Sequence, residues 1–175
     1  MKKTVYPLLF VLAALFTFKA GAAPAMDDEY SQAVAEAKAG DRIFAFMHFR
    51  EVAARESGSK YREKALFAIG EYYFSIRACG DAFKAFSGLL SRYPESKMRP
   101  FALFYLYKIA RDSGENGAAE DFRKEILNWE RVILIFKKSK EYKLKSPMGI
   151  KYKLIHYVDR LEFYIDGKLR EKILY

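Results

Sequence analysis

The chain has 175 residues, of which 51% are hydrophobic and 30% are charged. This is enough for one modest domain, or for a short array of repeats with a small appendage. A single cysteine, Cys79, excludes an intrachain disulfide. We expect Cys79 to be a small buried apolar residue, with a disulfide between two chains as the alternative.

The formal charge of +9 is unevenly distributed. Residues 26–122 carry 14 basic and 15 acidic side chains, whereas residues 123–175 carry 14 basic and 7 acidic side chains. The basic character of the chain therefore belongs to its last third.

The first 25 residues have the three-part plan of a secretory signal peptide. Lys2 and Lys3 precede an apolar run, TVYPLLFVLAALFTF, and a stretch of small residues follows, KAGAAPA. An uncleaved membrane anchor is the alternative, although residues 4–18 are few for a bilayer span. We predict a signal peptide over 1–25 that is cleaved in a bacterial envelope and is not of the lipoprotein type. The mature chain would then be periplasmic, without a transmembrane segment, and association with the outer membrane stays open.

The middle of the chain repeats itself when it is shifted by 37 residues. Ala45, Phe49 and Arg55 recur as Ala82, Phe86 and Arg92, and the triplet 65–67 recurs as 102–104. A period in the thirties is typical of helical repeats in which each unit is a pair of helices.

Each repeat carries apolar residues at helical spacing. One stripe lies at positions i, i+3, i+4 and i+7: Leu66, Ile69, Gly70 and Tyr73. Ala82 and Phe86 share a face of the next predicted helix, and Pro94 closes it. Glycine inside a helix costs about 1 kcal/mol relative to alanine, so Gly70 predicts a close helix crossing.

These residues resemble the tetratricopeptide repeat. Seven of its eight signature positions fall on Leu66, Ile69, Gly70, Tyr73, Ala82, Phe86 and Pro94. Leu66 replaces the usual tryptophan, and Leu89 stands at the eighth position, where alanine is usual. The resemblance covers about residues 29–128 and is closest to bacterial periplasmic and outer-membrane-associated repeat proteins. It implies a mainly α fold, a short α-solenoid of antiparallel helix pairs over residues 26–136.

The amino-acid composition and the hydrophobic pattern change after the repeats. We predict one more helix, from Trp129 to Phe136, as a cap, and then a basic, β-rich extension over residues 137–175. Within that extension Asp166-Gly167 follows an alternating run, which favours a β-hairpin. A helix is the alternative, because these residues also fit a period of 3.6: Ile150, Leu154, Val158, Leu161 and Ile165.

No constellation of residues predicts catalysis. His48 and His156 lie far apart in the sequence, and neither joins a motif with metal-ligand spacing. We therefore predict no catalytic residues, no cofactor and no metal site.

Binding to another protein is the better-supported function. In the tetratricopeptide family the first helix of each pair lines a concave groove. The resemblance carries this role over to eight positions: Lys64, Phe67, Glu71, Phe74, Phe101, Phe104, Lys108 and Arg111. We expect these residues to bind an envelope protein or peptide. The alternative is that the rings pack against the next helix pair or against the C-terminal extension.

The lysine-rich extension has two interpretations. Its lysines are closely spaced: Lys137, Lys138, Lys140, Lys143, Lys145, Lys151 and Lys153. They fit a solvated strand face that discourages edge pairing, or a contact with an anionic surface. Export disfavours nucleic acid as the partner. The function we expect is an exported, non-catalytic scaffold of the cell envelope, and an accessory or regulatory subunit of an envelope enzyme complex is the alternative.

Overall fold

Six helices followed by a four-stranded sheet form the part of the chain described by this computed structural model, residues 26–55, 61–129 and 138–174. The helices are α1 Met26–Ala39, α2 Arg42–Ala54, α3 Arg62–Ser75, α4 Cys79–Arg92, α5 Arg99–Asp112 and α6 Asn116–Asn128. The strands are β1 Ser139–Lys145, β2 Lys151–Tyr157, β3 Arg160–Ile165 and β4 Lys168–Leu174. This confirms a mainly α fold with a small β-rich C-terminal extension. The predicted signal peptide and the predicted cap after Trp129 lie outside the described residues.

Tight turns join the helices in pairs. Gly40 has φ +91° between α1 and α2, and Asp41 then accepts a hydrogen bond from the Phe44 amide at 3.2 Å, which caps α2. Arg77 has φ +62° before α4, and Gly114 has φ +78° before α6. Connections this short make the two helices of each pair antiparallel.

The crossing of α3 and α4 is as close as Gly70 predicts. A Cβ atom added to Gly70 would lie 2.6 Å from Cε1 of Phe86, so only glycine leaves room for that ring. The Phe86 ring in turn stacks on Tyr105 of α5, with 4.8 Å between the ring centroids. One missing side chain thus lets a phenylalanine bridge three helices.

The strands form an antiparallel meander in the order β1-β2-β3-β4. Asp166 and Gly167, with φ +49° and +77°, form the turn between β3 and β4, as the sequence predicts. The hairpin prediction is confirmed, and the helical alternative for this segment is wrong.

The inner face of the sheet packs against the helices. Leu154, Leu161 and Phe163 are fully buried there, in one hydrophobic core with residues of α3, α4, α5 and α6. A second core joins α1, α2 and α3 and includes Met148 from the loop between β1 and β2. The helices and the sheet therefore stabilise one another.

Two further findings concern single residues. Cys79 is exposed at the first residue of α4, so the prediction that it is buried is wrong. The first turn of a helix faces solvent on one side, and nothing in the local sequence decides which residue lies there. Trp129 follows α6 and packs against Tyr142 of β1, with 4.5 Å between the ring centroids. Among the residues described, no helix has both the length and the apolar character to cross a membrane.

Candidate functional site

The sheet covers the centre of the face that we expected to be an open groove. Phe67, Phe101 and Phe104 are 0 to 3% exposed. Phe104 stacks on Phe163 of β3 with 3.5 Å between ring centroids, and Phe101 lies 5.5 Å from the Tyr152 ring of β2. The structure therefore corrects the prediction at these three positions. Their rings pack against the C-terminal extension, because burying aromatic surface under the chain's own sheet is favourable.

Glu71 lies in the same covered region. It is 2% exposed, and one of its carboxylate oxygens accepts a hydrogen bond from the Tyr152 hydroxyl. The other oxygen, Oε2, is buried and makes no hydrogen bond of normal length and angle, although the Ser146 side chain lies close enough to favour the ionised form. Burial raises the pKa of Glu71 to about 8, and the interactions with Tyr152 and Ser146 offset only part of that effect. The carboxyl group is therefore mostly protonated at neutral pH and does not act as a charge for a partner.

Three more predicted groove residues also contact the rest of the chain. Phe74 is half-buried and meets the Tyr105 ring edge-on, with 4.8 Å between centroids. Arg111 Nη2 lies 2.9 Å from Glu171 Oε2 of β4, and Lys108 Nζ lies 3.9 Å from the same oxygen. The two cations thus attach α5 to the sheet and are only partly available to another molecule.

Lys64 is the one predicted groove residue left, and its side chain is exposed between two neighbouring cavities. One cavity of about 280 Å³ and another of about 470 Å³ have Lys64 and Met98 in common. The lining of the smaller one is completed by Tyr30, Val34, Lys38, Lys145, Ser146, Pro147 and Gly149. The lining of the larger one is completed by Glu63, Tyr93, Pro94, Glu95, Ser96, Lys97 and Leu144. We call these two cavities together the β1 groove.

The β1 groove has an apolar lining and a basic rim. Four lysines surround it, Lys38, Lys64, Lys97 and Lys145, against the two carboxylates of Glu63 and Glu95. The carboxylate of Glu63 already accepts a hydrogen bond from the Ser96 hydroxyl. The groove therefore favours an occupant with apolar side chains and negative charge.

The strand beside this groove is at the edge of the sheet. Strand β1 pairs with β2 on one side, and none of the described strands pairs with its other side. Leu144, which lines the larger cavity, belongs to β1. An unpaired edge offers backbone N–H and C=O groups to an added strand.

Ser96 holds the loop that forms one wall of the groove. Its hydroxyl donates to the Glu63 carboxylate and accepts from the Met98 amide at 3.0 Å. The loop between α4 and α5 is thereby tied to the start of α3. The wall is preorganised, so an occupant would not have to order it.

The two histidines lie in contacts that hold elements of the fold together. His48 Nδ1 lies 2.5 Å from Glu29 Oε1, and the hydrogen bond to Glu29 raises the pKa of His48. Arg55 Nη2 lies 3.6 Å from Glu29 as well, so this cluster ties α1 to α2. His156 is buried on the inner face of β2. Within the described ranges no group of three or more His, Cys, Asp or Glu residues is placed to hold a metal ion.

Sequence reasoning found Lys64 but missed most of the β1 groove. Tyr93 and Met98 belong to a loop, where periodicity gives no prediction. Leu144 lies in a lysine-rich run whose clearest sequence feature is its positive charge. One sequence signal was available: Tyr142 and Leu144 alternate with lysines, and a period of two indicates a strand with one apolar side.

No protein-family model gives a significant match to this chain, and neither does any curated protein or solved structure.

Proposed function

We propose that this protein is a non-catalytic scaffold of the bacterial cell envelope, and that its β1 groove binds an extended segment of a partner protein. The observation that carries this proposal is the groove itself. It is open and has an apolar lining, and it lies between the loop held by Ser96 and strand β1, whose outer side pairs with none of the described strands. The signal-like N-terminus and the resemblance to periplasmic tetratricopeptide repeats support the proposed location and class.

The proposed binding mode is strand addition. The partner segment would run along β1 and place alternate side chains towards the helices, near Met98 and Leu144. The lysines on the rim favour acidic residues next to those apolar side chains. The expected ligand is thus an extended peptide in which Asp or Glu flanks apolar residues, and this replaces the broad concave face expected from the sequence.

A peptide selection tests the proposal even while the partner is unidentified. A random peptide library is selected on the purified chain, and the dissociation constants of enriched peptides are measured by fluorescence anisotropy. We expect acidic–apolar sequences to be enriched. Lys64→Glu should weaken their binding about tenfold or more, because it reverses a charge at the centre of the groove.

Lys84→Glu is the matched control, because Lys84 is exposed on α4 and does not line the groove. Leu144→Asp provides a second variant, since it places a carboxylate on the edge strand itself, in the lining of the groove. Equal binding by the wild type, Lys64→Glu and Lys84→Glu would contradict the proposal, and so would the absence of any enriched peptide. Far-UV circular dichroism checks that each variant is folded.

A further inference from the structure

The register of the sheet places four lysines together on its outward face. Lys143 lies directly opposite Lys153, and Lys145 lies directly opposite Lys151, so that four lysines are neighbours on the outward face across β1 and β2, and we call them the lysine square. Like charges in directly opposed positions destabilise a sheet. Lys143 pairs with Glu141 at 2.5 Å, but none of the described carboxylates forms an ion pair with the other three. The described chain therefore offsets only part of the repulsion among these four lysines.

A cavity lies at this square. Its volume is about 390 Å³. The lining consists of the four lysines together with Leu144, Tyr152 and Gly167. Several cations around one concavity form a site for an anion with several oxygens, such as a phosphate group.

The same face carries amphipathic and apolar side chains. Lys153 Nζ lies 4.3 Å from the centroid of the Tyr164 ring, and Arg160 Cζ lies 4.0 Å from that of Tyr157. The strand register places Leu169 opposite Tyr164, and Leu174 opposite Arg160. Tyrosines and long cationic side chains are the residues that occupy a membrane–water boundary.

Three aliphatic side chains of the sheet and its turns are more than half exposed. Leu169 and Leu174 are 52% and 57% exposed, and Val158, in the turn between β2 and β3, is 65% exposed. Exposed aliphatic side chains do not contribute to binding a small soluble anion. A lipid surface combines anionic phosphates with acyl chains below them, and it satisfies both features of this face.

We propose that the outward face of the C-terminal sheet binds an anionic lipid membrane, with lipid phosphates at the lysine square. Glu141 pairs with Lys143 and offsets one of the four positive charges, whereas Glu162 is held by Arg160 at 2.8 Å, so that a net charge of about +3 remains at the square. This inference does not depend on the β1 groove, although Leu144 and Lys145 line both sites. Leu144 and Lys145 are therefore left unchanged in the test.

Vesicle flotation with the full chain tests the proposal. The probes are vesicles of phosphatidylcholine, with and without phosphatidylglycerol. We expect binding only when phosphatidylglycerol is present, and weaker binding at high salt. Replacing Lys143, Lys151 and Lys153 together with Gln should weaken binding on the order of 100-fold, and Lys151→Gln alone about fivefold.

The control removes the same charge from the helices, with Lys84→Gln, Arg92→Gln and Lys124→Gln combined, all at exposed positions. It should bind vesicles as the wild type does. Leu169→Ser with Leu174→Ser tests the apolar contribution and should weaken vesicle binding while leaving binding of inorganic phosphate unchanged. If the triple lysine variant does not fold, the single Lys151→Gln variant gives the same comparison.

Several outcomes would overturn the proposal. Equal losses of vesicle binding in the two triple variants would show that only the overall charge of the protein matters. Equal binding to vesicles with and without phosphatidylglycerol would show that anionic lipid is not recognised. Binding of inorganic phosphate or a single-stranded oligonucleotide at the square, without vesicle binding, would replace the membrane by another anion. Loss of vesicle binding with retained peptide binding leaves the proposed groove function intact, and the reverse result leaves the membrane site intact.

Discussion

Glu71 connects the helices to the sheet through a buried hydrogen bond. It belongs to α3, and its hydrogen-bond donor, Tyr152, belongs to β2 and also contacts the Tyr105 hydroxyl of α5 at 2.7 Å. Arg42 and Asp166 are the charged groups that act on it from further away, in opposite directions. Ionising a fully buried carboxyl group is costly, and the interactions with Tyr152 and Ser146 offset only part of that cost, so the folded state retains the proton.

This gives a prediction about pH. Between about pH 4.5 and pH 8 the folded chain keeps a proton on Glu71 that the unfolded chain has released. The free energy of unfolding should therefore fall as pH rises through that range, by at most about 1.4 kcal/mol per pH unit from this group. Glu71→Gln removes this titrating group, so the free energy of unfolding of the variant should depend less steeply on pH. Guanidinium denaturation of both proteins from pH 5 to pH 9 measures the difference.

The difference between the two curves isolates Glu71 from His48, whose raised pKa contributes a loss of stability of the same sign in an overlapping range. Parallel curves would show that the carboxyl group has an ordinary pKa in the folded chain.

At the scale of the helices, the α3–α4 pair depends on the absence of one side chain. Gly70 and Gly88 both lie inside helices, so that alanine at either site is favoured by about 1 kcal/mol from helix propensity alone. Their surroundings differ. A Cβ atom at Gly70 would meet the Phe86 ring at 2.6 Å, whereas one at Gly88 would have no atom within 4 Å.

We predict opposite effects for the same substitution. Gly70→Ala should destabilise the protein by about 1 to 2 kcal/mol, because the Phe86 ring must move in a packed core. Gly88→Ala should stabilise it by up to about 1 kcal/mol. The measurement is equilibrium denaturation of the two variants against the wild type.

A second comparison checks the mechanism. Adding Phe86→Leu to Gly70→Ala should cost less than the sum of the two single changes, since the smaller side chain relieves the overlap. Strict additivity, or stabilisation by Gly70→Ala, would show that Phe86 is not the obstacle.

The turn and the helix crossing were predictable because each depends on local chemistry. Asp166-Gly167 adopts positive φ angles, which few other residue pairs do readily, and Gly70 in a helix implies a close neighbour. The covering of Phe67, Phe101 and Phe104 was not predictable in the same way. Helical periodicity identifies which face is apolar, but it does not say which segment of the chain will cover that face.

At the scale of the whole molecule, the helices and the sheet share a hydrophobic core. Phe163 of β3 and Phe104 of α5 stack within it, and Ile173 of β4 contributes as well. Ion pairs from α5 to Glu171 add to this contact at the surface. A shared core of this kind makes separate unfolding of the two parts unfavourable.

We therefore predict a single unfolding transition. Trp129 is the only tryptophan of the chain, and it lies where α6 meets β1, against Tyr142. Its fluorescence reports on that junction, and far-UV circular dichroism reports mainly on the helices. The two signals should change at the same denaturant concentration. A fluorescence change at lower denaturant would mean that the sheet detaches while the helices persist.

The position of the strands after the helices has a consequence for biosynthesis. During translation the helical segments leave the ribosome before the residues that will cover their aromatic rings have been made. The Tyr152 hydroxyl, for example, meets Glu71 across 81 residues of sequence. Contacts between such distant positions form late, and they make folding slower. The nascent chain therefore passes through a stage in which its phenylalanines are accessible to chaperones or to other unfinished chains.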